Sequence, residues 1–126
     1  MKPWRRAGFL AAIAYLGFAL VSYSLYPHPY SPLRNWLSDL GNTLVNTSGG
    51  FLYNLGCIVT GCVLVVFYVG LNVWRTDDRV SKRLLTIGQA AGVISSLALI
   101  LSAAYNIGED PELHSQFSKY LTIGLT

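Results

Sequence analysis

Three long stretches of this chain contain no Lys, Arg, Asp or Glu: residues 7–33, 40–74 and 84–108. Only 12% of all residues are charged, whereas soluble domains usually carry about 25%. A helix of roughly 20 apolar residues crosses the hydrocarbon core of a bilayer, and each stretch holds one. The pattern predicts an all-α polytopic membrane protein, with residues 1–126 forming a single membrane domain.

The expected membrane spans are residues 8–26, 51–71 and 84–105. A cleaved signal peptide is the competing interpretation of the first span, because a basic head precedes it. No small-residue cleavage site follows the apolar run, so we interpret it as a retained span. A further helix is expected over residues 111–126, but its apolar part, 120–126, is too short to cross a bilayer. It is therefore an incomplete fourth span.

The basic residues predict the orientation of these spans. Seven of the nine Lys and Arg residues lie either before the first span or between the second and third: Lys2, Arg5, Arg6, Arg75, Arg79, Lys82 and Arg83. Segments rich in Lys and Arg stay on the cytoplasmic side of a cell membrane. The N-terminus is thus expected in the cytoplasm, with residues 27–50 and 106–119 outside. No basic stripe with interleaved aromatic residues is present, which argues against nucleic-acid binding.

Residues 31–41 between the first two spans read as a short amphipathic helix at the membrane interface. Ser31 can cap it, and Pro32 suits the first helical position. Gly41 would end it in a left-handed conformation. Its apolar residues recur at spacings of three and four and would share one face: Leu33, Trp36, Leu37 and Leu40.

Reactive side chains collect in the segments expected outside. Asp39, with Ser38 beside it, and His114 are the candidate catalytic residues, because a carboxylate next to an imidazole can form an acid–base pair. The structural alternative is that Asp39 binds nearby backbone amides or Arg34, and that His114 is an interfacial residue. No HxxxH or HExxH pattern indicates a metal site. No cofactor is expected either.

Small and polar residues inside the spans predict helix packing. Gly56 and Gly61 on the second span, and Gly88 and Gly92 on the third, would let neighbouring helices approach closely. Asn54 and Gln89 are expected to form interhelical hydrogen bonds. Cys57 and Cys62 point to different sides of one helix and cannot pair with each other. Asn46 begins an Asn-Thr-Ser sequon and is a candidate glycosylation site.

The sequence YSPLRNWLSDLGN, a loop with Asn46 and then FLYNLGCIVTG resembles a family of hypothetical membrane proteins, the domain of unknown function number 998. The matching positions are Ser31, Pro32, Asn35, Trp36, Ser38, Asp39, Gly41, Tyr53, Asn54, Gly56 and Gly61. The stretch NIGEDPELH, with His114, is similar to the segment that opens the later half of the family. Arg34 departs from the usual small polar residue.

The resemblance implies a typically six-span, archaeal-type membrane protein of no settled activity, of which this chain holds the front part. We expect a structural or accessory subunit rather than an enzyme, which packs against membrane lipid and against other membrane subunits or later spans. The alternative is a membrane-embedded hydrolase or lipid-modifying enzyme that uses Asp39 and His114 at the outer face.

Overall fold

The structure, a computed structural model, describes residues 3–123 and the side chains of residues 6–121. Its α-helices are α1 (Pro3–Ser24), α2 (Gly50–Gly70), α3 (Arg79–Ala104) and α4 (Pro111–Ile123). Short 3₁₀ helices cover Leu37–Gly41 and Leu71–Trp74. Helical segments Arg6–Ser24, Gly50–Trp74 and Arg79–Ala104 are long and apolar enough to cross a membrane. The predicted all-α fold with three membrane spans is confirmed. Lys2, and residues 124–126 of the predicted fourth helix, lie outside the described residues.

Helix α3 begins at Arg79 rather than at residue 84 because Asp78 caps it. The Asp78 carboxylate accepts a hydrogen bond of 2.8 Å from the backbone N–H of Ser81. This bond satisfies one of the free amides that every helix start leaves. Lys82 and Arg83, expected in the preceding loop, are therefore helical residues.

The predicted α-helix over residues 31–41 is wrong. Residues 31–35 form a turn, residue 36 is extended, and only Leu37–Gly41 is helical, as a 3₁₀ helix. The Asp39 side chain takes an amide that the helix would have bonded to the Pro32 carbonyl: Asp39 Oδ2 accepts from Trp36 N at 2.9 Å. Asn35 Oδ1 accepts from Ser31 N at 3.1 Å, an amide that such a helix would leave free at its start. Such local bonds compete with an α-helix.

The expected shared apolar face of this segment is also absent. Leu40 is buried, with 2% of its surface exposed, whereas Leu33 is 95% exposed and Trp36 79% exposed. Gly41 does not adopt a left-handed conformation, since no described residue has a positive φ. Glycine is needed at this position because it lacks a Cβ atom, as described below.

Aromatic side chains packed against glycines join the helices. A Cβ atom on Gly56 of α2 would overlap Phe18 of α1, and one on Gly92 of α3 would overlap the Tyr68 ring of α2. Gly61 faces α3, where its Cβ would lie 2.9 Å from the backbone oxygen of Ser96. These contacts agree with the packing predicted for three of the four glycines. Gly88 has no neighbour within 4 Å of a Cβ position, so it packs against nothing described in the chain.

Candidate functional site

Most of the buried polar side chains collect at one end of the helix bundle. We call it the linker end; it consists of the end of α1, residues 25–49, the start of α2, the end of α3 and the start of α4. A cluster of buried residues lies here: Leu40, Tyr53, Cys57 and Ala103. The side chains expected to carry chemistry also lie in these segments.

Asn46 joins three segments of the linker end. Its side chain is 0% exposed. The amide Nδ2 donates to the Leu40 carbonyl at 2.9 Å and to Ser22 Oγ at 3.0 Å, and Oδ1 accepts from Gly49 N at 2.9 Å. A glycan would attach at this same Nδ2 atom. The folded chain therefore does not present Asn46 for glycosylation, contrary to the prediction from the sequon.

A close contact between Asn54 and Gly41 accounts for both residue types. Asn54 Nδ2 on α2 donates to the Gly41 carbonyl at 2.9 Å. A Cβ on Gly41 would overlap Asn54 Oδ1 and would lie 2.8 Å from Cδ1 of Tyr53. Glycine is needed for this close approach, and Asn54 binds the linker rather than a neighbouring span.

A second polar contact ties the linker to the α3–α4 loop. Asn106, which is almost fully buried, accepts through Oδ1 from Thr43 Oγ1 at 3.3 Å and from Gly108 N at 3.0 Å. Towards the opposite end of the bundle, Gln89 Nε2 on α3 donates to the Tyr68 carbonyl of α2 at 2.8 Å, the interhelical bond expected of it.

A cavity of about 270 Å³ opens within the linker end. We call it the linker cavity. Leu37 and Trp36 from the linker, Leu99 from α3 and Leu121 from α4 supply apolar walls. The polar side chains of its lining include those of Tyr15, Ser38, Tyr53, Asn54, Ser102, His114 and Ser118. No Asp, Glu, Lys or Arg is among the described lining residues.

Two tyrosines form the deep side of the linker cavity. The hydroxyls of Tyr15 on α1 and Tyr53 on α2 are 3.1 Å apart, a hydrogen bond in which either can donate. Their rings meet edge to face, with centroids 6.2 Å apart, a favourable aromatic geometry. Tyr15 lies near the middle of the first span, where a hydroxyl needs a protein partner. A tyrosine in the middle of an apolar span is therefore the sequence signal that could have indicated the Tyr15–Tyr53 hydrogen bond.

The geometry around His114 fixes its tautomer. Nδ1 lies 2.7 Å from the backbone carbonyl oxygen of Ser102 on α3. A carbonyl oxygen only accepts, so Nδ1 carries a proton and donates, and in the neutral form of the ring Nε2 is then an acceptor. The contact also holds α4 against the end of α3.

The structure separates the predicted catalytic residues. Ser38 and His114 line the same cavity, but Asp39 is not part of its lining. The Asp39 carboxylate binds the Trp36 amide, the structural alternative for this residue. No hydrogen bond joins Asp39 to His114 within residues 3–123, so the expected acid–base pair is not formed. In the same part of the chain, no three His, Cys, Asp or Glu side chains could together hold a metal ion.

Three long apolar helices, closed at one end by a neutral polar network, define an integral membrane protein. The chain belongs to the family described as "Protein of unknown function (DUF998)", whose sequence model matches residues 9–125. Comparisons with curated proteins and with solved structures found no match.

Proposed function

We propose that the protein is a structural or accessory component of a membrane assembly and receives another transmembrane helix in a groove between α2 and α3. The groove, of about 410 Å³, is lined by Leu64 and Tyr68 from α2, by Leu121 from α4, and by Leu99 and a set of small residues from α3. The small residues are Gly88, Ala91, Gly92, Ser95 and Ser96. Small residues let a second helix approach closely in a bilayer.

The observation that carries this proposal is the open space at Gly88. A Cβ on Gly88 would meet nothing within 4 Å, although the residue lines the groove. A docked helix would fill that space and pack against Ser95, which lines the groove seven positions further along the same face of α3.

The test compares two glycines that have open space around them. Gly88→Leu fills the groove, and Gly17→Leu makes the same change on α1, where a Cβ also meets nothing within 4 Å. After mild detergent extraction, native mass measurement should find wild type and Gly17→Leu in a complex of fixed composition. Gly88→Leu should lose that complex. A lone monomer for wild type, or an unchanged complex for Gly88→Leu, would contradict the proposal.

A hydrolase or lipid-modifying enzyme built on Asp39 and His114 is the competing proposal. It requires both side chains to leave their present partners, the Trp36 amide and the Ser102 carbonyl. No observation favours that rearrangement, and we therefore prefer the helix-packing role.

We also infer that the protein resides in the cell membrane with its N-terminus in the cytoplasm. Residues 27–50 and 106–119, which meet at the linker end through Thr43 and Asn106, would then lie outside. Support comes from the Lys and Arg residues between α2 and α3 and before α1, because such residues are retained in the cytoplasm.

A further inference from the structure

We propose that the linker cavity binds a lipid alcohol, with the hydroxyl inside the cavity and the hydrocarbon chain leaving past Trp36. Four elements and the linker build this cavity, so it is a product of the whole fold. The cavity shares Leu99 and Leu121 with the lining of the α2–α3 groove, but the two proposals rest on different residues.

The absence of charge in the lining selects a neutral head group. The described lining contains no Asp, Glu, Lys or Arg. A phosphate or carboxylate head would be buried without a charged partner, which is costly. Phospholipids and fatty-acid anions therefore fit the cavity poorly.

Two acceptors in the cavity favour a ligand that donates a hydrogen bond. With Nδ1 donating to the Ser102 carbonyl, Nε2 of a neutral His114 ring is an acceptor. Asn54 uses Nδ2 on the Gly41 carbonyl, which leaves Oδ1 as an acceptor. Among neutral lipid heads a hydroxyl can donate to these atoms, whereas an ester, an ether or a quinone cannot.

Two further hydroxyls in the lining can adapt to a bound alcohol. Ser38 and Ser118 line the cavity, and neither side chain has a hydrogen-bond partner within the described residues. A serine hydroxyl both donates and accepts. Either one can therefore complete the bonding of an alcohol oxygen, which accepts as well as donates.

The size and the rim of the cavity fit a head group with a trailing chain. Its 270 Å³ is at the small end of ligand pockets, which usually measure about 300–1,000 Å³. The rim residues Trp36 and Leu37 are 79% and 47% exposed. They offer an apolar path from the cavity towards the surrounding lipid.

The first experiment uses the full chain in lipid nanodiscs and two probes, radiolabelled farnesol and its methyl ether. The ether has the same chain but cannot donate a hydrogen bond. Farnesol should bind above the level of empty nanodiscs, and the ether about three- to tenfold more weakly, the value of one neutral hydrogen bond. Equal binding of the two probes would overturn the proposal, because it would indicate partitioning by the chain alone.

The second experiment blocks the cavity. Ser38→Leu adds an apolar side chain to the lining without removing a recorded hydrogen bond, and Ser115→Leu makes the same change at an exposed position on α4. Farnesol binding should fall at least about tenfold in the first variant and remain unchanged in the second, since a filled pocket excludes the head group. Unchanged binding in Ser38→Leu would overturn the site.

His114→Phe, which keeps a ring but removes the acceptor, should lose the preference for farnesol over its ether. A retained preference would contradict the role of Nε2.

Discussion

Both polar atoms of the Asn46 side chain form hydrogen bonds within the protein. At the scale of single residues, Asn46 and Asn54 both donate to carbonyls of the Leu37–Gly41 helix, at Leu40 and Gly41. A short 3₁₀ helix leaves such carbonyls without internal partners, and unpaired polar backbone is expensive near hydrocarbon. Asparagine supplies the missing donor and fixes where the linker lies.

Replacing Asn46 with alanine should destabilise the protein by about 1–3 kcal/mol, the cost of leaving a buried group unpaired. The Gly49 amide would lose its acceptor, and the Leu40 carbonyl one of its donors. Unfolding in mixed micelles measures the effect. Asn72→Ala, at an exposed position, is the control and should change the free energy of unfolding by less than about 0.5 kcal/mol. Equal effects of the two substitutions would contradict the role of Asn46.

The contribution of Tyr30 to the stability of the folded linker depends on pH in the alkaline range. Its hydroxyl donates to the Trp36 carbonyl at 3.2 Å. Partial burial, with a smaller effect of the nearby Asp39 carboxylate, raises the pKa of Tyr30 above its ordinary value of 10.0. The folded state therefore favours the neutral phenol. Its stabilising contribution is fully present below pH 10.0 and is lost as the pH rises through the raised pKa.

The difference in stability between wild type and Tyr30→Phe should accordingly shrink above pH 10.0. Both proteins contain the other tyrosines and lysines, so the difference isolates Tyr30. Unfolding measured in micelles across this pH range tests the prediction. A difference that stays constant with pH would show that the Tyr30 hydroxyl does not stabilise the fold.

At the scale of elements, the length of the uncharged runs was sufficient to predict α1, α2 and α3. The linker prediction is wrong because spacing alone indicates an amphipathic helix, while Asp39 binds the Trp36 amide that such a helix needs. The start of α3 was missed for the related reason that Asp78 acts as a cap. The sequence predicts Ser38 and His114 as site residues, but it does not predict that they line one cavity. That cavity depends on where α4 packs, which no local sequence pattern specifies.

The contact between α2 and α3 should be sensitive to one methyl group at Gly61. A Cβ there would lie 2.9 Å from the Ser96 carbonyl oxygen, which is backbone and cannot rotate away. Gly61→Ala should therefore force the helices apart and cost about 1–3 kcal/mol of stability. The matched change Gly17→Ala, made where a Cβ meets nothing, should be neutral or slightly stabilising because alanine favours helix. A neutral Gly61→Ala would show that α3 can shift freely.

At the scale of the whole molecule, little of each span is covered by the protein. Only 17%, 22% and 17% of the spanning windows of α1, α2 and α3 are buried. Most of the apolar surface must therefore face lipid or other helices. The buried core is concentrated at the linker end, so the opposite end relies on its surroundings for support.

The inferred orientation predicts the accessibility of two exposed loop positions, Ser48 and Thr76. In a variant without Cys57 and Cys62, Ser48→Cys should react with a membrane-impermeant maleimide in intact cells. Thr76→Cys should react only after the cells are opened, because its loop lies among the basic residues retained in the cytoplasm. The reverse pattern would invert the orientation.

The partners of Asn46 and Asn54 have a consequence for the order of assembly. Every hydrogen bond that these two side chains make lies within residues 22–54. These hydrogen bonds can therefore form between the first two spans and the linker once both spans have entered the membrane and before α3 is inserted. Force measurements on ribosome-bound chains of increasing length would detect this step, and Asn46→Ala should abolish it. A nascent chain with α1 and α2 already fastened would present α3 with a preformed surface on which to pack.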